Sequence, residues 1–194
     1  MPVDSKSRAN SETGSERPEA YIAVLAEFAR FGFRRTSMVG LADAAGVSRQ
    51  TLYNRFGGKE AVLDWAVSGL SQHTRAEALA GLSTFKGTSR AVLQEVFWRW
   101  LGTVAVMLHQ HRFAEEILGL GKAALARSQK DPLEGISGEV AAFLLERGVR
   151  SSKSGASDTA FTLAMSAKGL MQSCGSEDAF RKGMSRVLSG AGID

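Results

Sequence analysis

The chain has 194 residues, 44% hydrophobic and 23% charged, with a net charge of +4, enough for one large or two small globular domains with a buried core. A single cysteine, Cys174, excludes an internal disulfide framework and a multi-cysteine metal site, and a free thiol suits a reducing cytoplasm. No apolar run approaches the roughly 20 residues that span a bilayer, and the polar N-terminus has no secretory core, so a cytoplasmic protein without a membrane partner is expected.

Residues 1–17, MPVDSKSRANSETGSER, hold one Val and one Met as their large apolar groups, too few to offset ordering, so a disordered arm is expected. A helical pattern starts at Pro18 and Glu19, which suit a first turn. Ile22, Leu25, Phe28 and Ala29 follow at helical spacing, and Gly32 suits the C-terminal cap. Thr36 or Ser37 can cap a short second helix containing Val39, Leu41, Ala42 and Ala45, which Gly46 stops. Gly40 inside it costs about 1 kcal/mol relative to Ala. Ser48 caps a third helix, Arg49 to Phe56, and Gly57-Gly58 separates it from a long fourth, Lys59 to about Ala80, with Val62, Leu63, Ala66, Val67 and Leu70 inside.

Further on, Ser89 to about Gln110 reads as a strongly apolar helix carrying Val92, Val96, Leu101 and Val104. Phe113 to Ala126 and Pro132 to Arg147 follow, the latter capped by Gly148. Ser151–Ser157 reads as a polar loop, and Asp158 to Ser173 and Glu177 to Ser189 form a last helical pair. No alternating strand pattern and no repeat occurs. The expected fold is all-α, with about nine helices.

The charge is uneven. Nine basic residues oppose six acidic ones up to Lys59, and fifteen oppose fourteen after it. From Phe28 to Lys59, Arg30, Arg34, Arg35, Arg49, Arg55 and Lys59 face only Asp43, a basic block that suits an anionic partner. That block contains two short capped helices meeting at Gly46 with the small residues Ala42, Ala45 and Val47 at the crossing, as a helix-turn-helix needs. On the second of them Leu52 and Phe56, four apart, must face inward. Arg49, Gln50 and Thr51 are then exposed at its N-terminal turn, where a major groove admits base-reading side chains, beside Tyr53, Asn54 and Arg55. The Tyr53 hydroxyl, Lys59 at the start of the next helix, and Thr36 and Ser37 suit phosphate contacts.

The segment resembles the DNA-binding domain of TetR-type transcriptional regulators. The resemblance lies in Phe28…Gly32-Phe33, Thr36-Ser37, Leu41-Ala42…Ala45-Gly46-Val47-Ser48, Thr51-Leu52-Tyr53…Phe56 and Lys59-Glu60, and covers about residues 15 to 75. Asn54 departs from it, standing where the family more often has Tyr or His. The resemblance implies a homodimeric repressor of a palindromic operator in double-stranded DNA. Its helix-turn-helix domain would span 18–64 and its helical ligand-binding and dimerisation domain 65–194, with release by an unidentified, largely apolar small molecule.

Within that second domain Trp98, Leu101, Met107, Phe113 and Ile117 are candidate ligand-lining residues, although residues 97, 98 and 100 cannot all face one way. Ala160, Ala164 and Ala167 permit close helix approach, and Phe180, Met184 and Leu188 recur every four residues, so these six are the candidate dimer interface, a four-helix bundle between two copies, with packing inside one chain as the alternative. His109 and His111 diverge by about 200° on a helix and suit no shared metal. No catalytic constellation, metal site or cofactor is expected. Gly69, Gly102, Gly119, Gly121, Gly169 and Gly183 lie inside expected helices, where a shifted boundary or a bend would explain them.

Overall fold

The computed structural model describes residues 17–128 and 132–194, so the expected arm, save Arg17, lies outside the described residues. The regular elements among them are helices: α1 Pro18–Phe31, α2 Met38–Ala45, α3 Arg49–Phe56, α4 Lys59–Thr84, α5 Ser89–His109, α6 Ala114–Arg127, α7 Pro132–Glu146, α8 Lys153–Ser173 and α9 Glu177–Gly190. The all-α expectation therefore holds.

Two boundaries differ from the sequence reading. Helix α4 runs on to Thr84. Helix α8 begins at Lys153, inside the stretch expected to be a loop, because Ser152 caps it by accepting from the Gly155 N–H and Ala156 is fully buried one turn in. Helix α5 is irregular at its centre, where Trp98–Gly102 forms a π-helical turn. At Gly102 a Cβ would collide with the Trp98 ring and lie 3.0 Å from Phe180 Cδ1, so only a glycine lets these rings close over the turn. Helix α5 is long and apolar enough to cross a membrane by length and composition alone, and Val92, Leu93, Val96, Phe97 and Trp100 on it are buried in protein.

The chain divides into two compact units, the first formed by residues 17–70 and 111–128 and the second by 71–110 and 132–194. The first unit packs α1, α2, α3, the start of α4, and α6. Val24, Leu25, Phe28, Ala29, Leu41, Ala42, Leu52, Val62, Leu63 and Ala66 form its core. Ile22 and Val39, expected on apolar faces, are exposed instead. Helix α6 and Phe113 before it meet this unit at several points. The Phe113 N–H donates to the Ala29 carbonyl at 2.9 Å, the Phe113 ring covers Gly32, and Arg127 pairs with Asp64. Gly32 has φ +82°, and a Cβ there would lie 3.2 Å from Phe113 Cδ1, so both its backbone conformation and its neighbour favour glycine. Gly69 has the Tyr21 ring in the place a Cβ would take.

The second unit buries Val92, Phe97, Trp100, Ile136, Val140, Leu144, Leu163 and Ile193 in one core. Arg90 donates to the Ile193 carbonyl at 2.9 Å and to Ser185 and Ser189, and Arg150 donates to the Ala191 carbonyl, so two guanidiniums satisfy carbonyls at the C-terminal end of α9. Ala160, Ala164, Ala167, Phe180, Met184 and Leu188 all belong to this core and are essentially inaccessible. This corrects the expectation that they form a dimer interface: the small residues of α8 admit neighbours from the same chain. The outer side of α8 carries Phe161 and Met165, 55% and 45% exposed.

Candidate nucleic-acid interface

The helix-turn-helix is built from capping and small residues. Ser37 Oγ accepts from the Gly40 N–H at 3.1 Å and starts α2. Gly46 ends α2 in the left-handed conformation, φ +68°, where L-residues are strained. Ser48 Oγ accepts from the Thr51 N–H at 3.0 Å and starts α3. Ala42 and Ala45 are buried at the crossing, and Leu52 anchors α3 beneath them. Phe56 is half-buried, its ring centroid 5.1 Å from that of Trp65 on α4, and Trp65 in turn meets Tyr21 on α1 edge-on at 4.9 Å. An aromatic ladder thus fixes the seat of α3.

With Leu52 turned inward, the opposite face of α3 presents Arg49, Gln50, Tyr53 and Asn54 together to solvent, Tyr53 at 38% exposure. The side chains are paired along the helix. The Arg49 guanidinium lies 5.4 Å from the Tyr53 ring centroid, and Gln50 Nε2 donates to Asn54 Oδ1 at 2.7 Å. Thr51 is half-buried, with its hydroxyl 2.8 Å from Ser48 Oγ. Arg55 turns over Phe56 and Trp65. The surface so formed is cationic and rich in amide and hydroxyl groups, the chemistry that meets phosphates and base edges.

Two expected phosphate contacts are placed differently. Thr36 is 3% exposed, and its hydroxyl donates to the Gly32 carbonyl at 2.8 Å, which closes the turn after α1. Its side chain is structural, and only Ser37 of that pair is exposed. Lys59 points back across the domain, donating to the Phe33 carbonyl at 2.9 Å and the Arg34 carbonyl at 3.0 Å while lying over the Phe33 ring. The residues this clip presents are Arg34 and Arg35, both exposed beside the α2 cap. They were visible in the local charge count, but nothing in their spacing marked them individually.

The five candidate ligand-lining residues are divided between the two units. Trp98, Leu101 and Met107 belong to the second unit, all half-buried, with Trp98 edge-on to Phe180. Phe113 and Ile117 belong to the first, where Phe113 covers Gly32 and Ile117 is buried. Phe113 and Ile117 hold α6 against α1 and α4 within the first unit.

In the second unit, Glu95 accepts from Arg99 at 2.8 Å and from Arg181 at 3.1 Å, and Arg181 lies over the Trp98 ring and also donates to Glu177. Burial pushes the Glu95 carboxyl up, but the hydrogen bonds and charges of the two arginines outweigh it and hold the group below its ordinary value.

Comparison with known proteins fits this geometry. Residues 23–65 match the family model of bacterial regulatory proteins, tetR family. Among solved structures, a TetR-family transcriptional regulator from Mesorhizobium loti is similar at 20% identity, with 97% of each chain covered and a TM-score of 0.59. The TetR family repressor AlkX from Dietzia is similar at 20% identity, with 89% of this chain and 92% of that one covered and a TM-score of 0.53. BioQ is similar at 19% identity, with 90% and 97% covered and a TM-score of 0.51. At these identities the structural likeness is one of fold. No curated protein sequence matches significantly. The helix-turn-helix, Met38 to Phe56, lies within the matched residues 23–65, so this segment is similar to the DNA-binding part of bacterial regulatory proteins of the tetR family.

Proposed function

We propose that the chain is a ligand-responsive repressor that binds a palindromic operator as a homodimer and releases it when a largely apolar small molecule occupies the C-terminal helices. Residues 18–64 then read DNA, and 65–194 hold the effector and the second copy. The observation that carries the reading is the outward face of α3, where Arg49, Gln50, Tyr53 and Asn54 stand exposed together while Leu52 anchors the helix from beneath. Gln50 and Asn54 read bases. Arg49, at the N-terminal end of the helix, has the fork geometry for guanine. The Tyr53 hydroxyl, Ser37, the Thr51 hydroxyl and the third donor of Lys59 meet phosphates, together with Arg34 and Arg35. BioQ, of similar fold, was solved on its natural double-stranded DNA operator.

One recognition helix covers few base pairs, so two copies on half-sites about one helical turn apart give usable specificity. The surface for the second copy is the outer side of α8 around Phe161 and Met165, two large apolar groups four residues apart and exposed. Trp98, Leu101 and Met107, half-buried along the irregular helix α5, are the residues assigned to the effector. Release requires the effector to favour one of two conformations by several kcal/mol.

The test is in vitro selection from a random duplex pool. Fluorescence anisotropy on the selected site then follows, with and without a panel of apolar and amphipathic metabolites. An inverted repeat bound by two copies is expected, and at least one metabolite should weaken it. Equal affinity for selected and random duplexes at physiological salt would overturn the reading.

A further inference from the structure

The exposed face of α3 is organised as two pairs at i,i+4 spacing. Arg49 stacks on Tyr53, and Gln50 is hydrogen-bonded to Asn54. The second pair has a definite polarity, because Gln50 Nε2 is the donor and Asn54 Oδ1 the acceptor. An amide offers two N–H donors and one carbonyl oxygen. Gln50 has therefore spent one donor and keeps its carbonyl oxygen and its second N–H. Asn54 has one lone pair of its oxygen engaged and keeps both N–H donors, so it faces a ligand mainly as a donor. Each residue sets which atoms the other shows to a ligand.

We infer that Gln50 and Asn54 act as one base-reading unit, Gln50 taking the N6 and N7 edge of an adenine and Asn54 taking an acceptor edge, guanine O6/N7 or thymine O4, at a nearby base pair. The free groups match those edges in the major groove: acceptor plus donor for adenine, donors for guanine or thymine. Four residues advance about 6 Å along a helix, close to two base-pair steps of about 3.4 Å, so one half-site accommodates both. The inference rests on the DNA-binding reading above and goes beyond it by coupling the two positions.

In the experiment, wild type, Gln50→Ala, Asn54→Ala, the double variant and Asn54→Asp are each subjected to in vitro selection. Affinities for single-base variants of the wild-type site are then measured. Each single alanine variant should lose discrimination at both base pairs, about tenfold at its own. The double variant should resemble either single rather than the product of the two. Asn54→Asp keeps the acceptor for Gln50 and removes both donors. It should keep the adenine and move the second position to a base carrying an amino group, cytosine or adenine. Both side chains are exposed, and thermal unfolding of each variant confirms that the fold is retained. If Gln50→Ala leaves the Asn54 position as sharp as in wild type, or the effects multiply, the coupling is overturned while the DNA-binding reading stands. If wild type selects no site, the DNA-binding reading falls and the inference with it.

Discussion

Lys59 Nζ donates to the carbonyl oxygen of Phe33 at 2.9 Å, across 26 positions of sequence, and the same ammonium reaches Arg34 and covers the Phe33 ring. The first residue of α4 is thereby a tie across the loop between α1 and α2. Replacing Lys59 by Met keeps the stem and removes the tie. Loss of about 1–2 kcal/mol of stability is expected, the worth of charge-assisted hydrogen bonds at a partly exposed site. DNA affinity should fall by a similar factor for every sequence, because the loop carrying Arg34, Arg35 and Ser37 loses its anchor. Thermal unfolding and anisotropy separate the cases: an unchanged melting temperature with weakened DNA binding would mean that Lys59 acts on phosphate alone.

Tyr21 occupies the space in front of Gly69 and stacks edge-on with Trp65. A methyl group at position 69 must displace the ring, and the ladder through Trp65 and Phe56 carries that displacement toward α3. Gly69→Ala should cost about 1–3 kcal/mol as overpacking, despite the better helix propensity of Ala. Tyr21→Ala in the same chain should make the Gly69→Ala change nearly neutral. Denaturant unfolding of the four proteins tests this, and additive costs would contradict the contact.

The helix-turn-helix was legible because its determinants are local. Ser37, Gly46, Ser48 and Gly57 punctuate the helices within a few residues, and the inward spacing of Leu52 and Phe56 orients α3 without knowledge of the rest. Thr36 and Lys59 were legible as positions but not in their partners, since a hydroxyl beside a cap suits a buried carbonyl as well as a phosphate. The alanines of α8 show the same limit more sharply. Small residues at 160, 164 and 167 announce a close helix neighbour, and nothing in their spacing says whether it comes from the same chain or from a second copy. Helix α6 lies with the first unit although the sequence between belongs to the second. A reading in chain order has no signal for that, because it is decided by contacts such as Arg127 with Asp64, 63 positions apart.

Phe161 and Met165 are the large apolar side chains exposed on α8, whereas Ala164 between them is buried. The two faces make opposite predictions. Phe161→Glu with Met165→Glu should leave the folded chain as stable as before and shift it to monomer in sedimentation. Affinity for an inverted repeat should fall at least tenfold, since two half-sites no longer act together. Ala164→Leu should instead lower stability by about 1–3 kcal/mol through overpacking. If the double glutamate variant remains a dimer, the second copy docks elsewhere.

Glu95 joins α5 to α9 through Arg181 and is braced by Arg99 on its own helix. Its carboxyl is held below its ordinary value of about 4.5, so the unfolded chain takes up the proton more readily than the folded one. The group's contribution to stability is therefore fully present above the ordinary carboxylate value and is lost as the pH falls through the lower, folded value. Glu95→Gln should cost up to about 1 kcal/mol at pH 7, the scale of a partly exposed ion pair. The difference from wild type should close progressively below about pH 4.5. Urea unfolding of both proteins from pH 7 to pH 3 measures it. A gap of constant size across that range would show that Glu95 acts by packing beside Trp98 and Arg181 rather than by its charge.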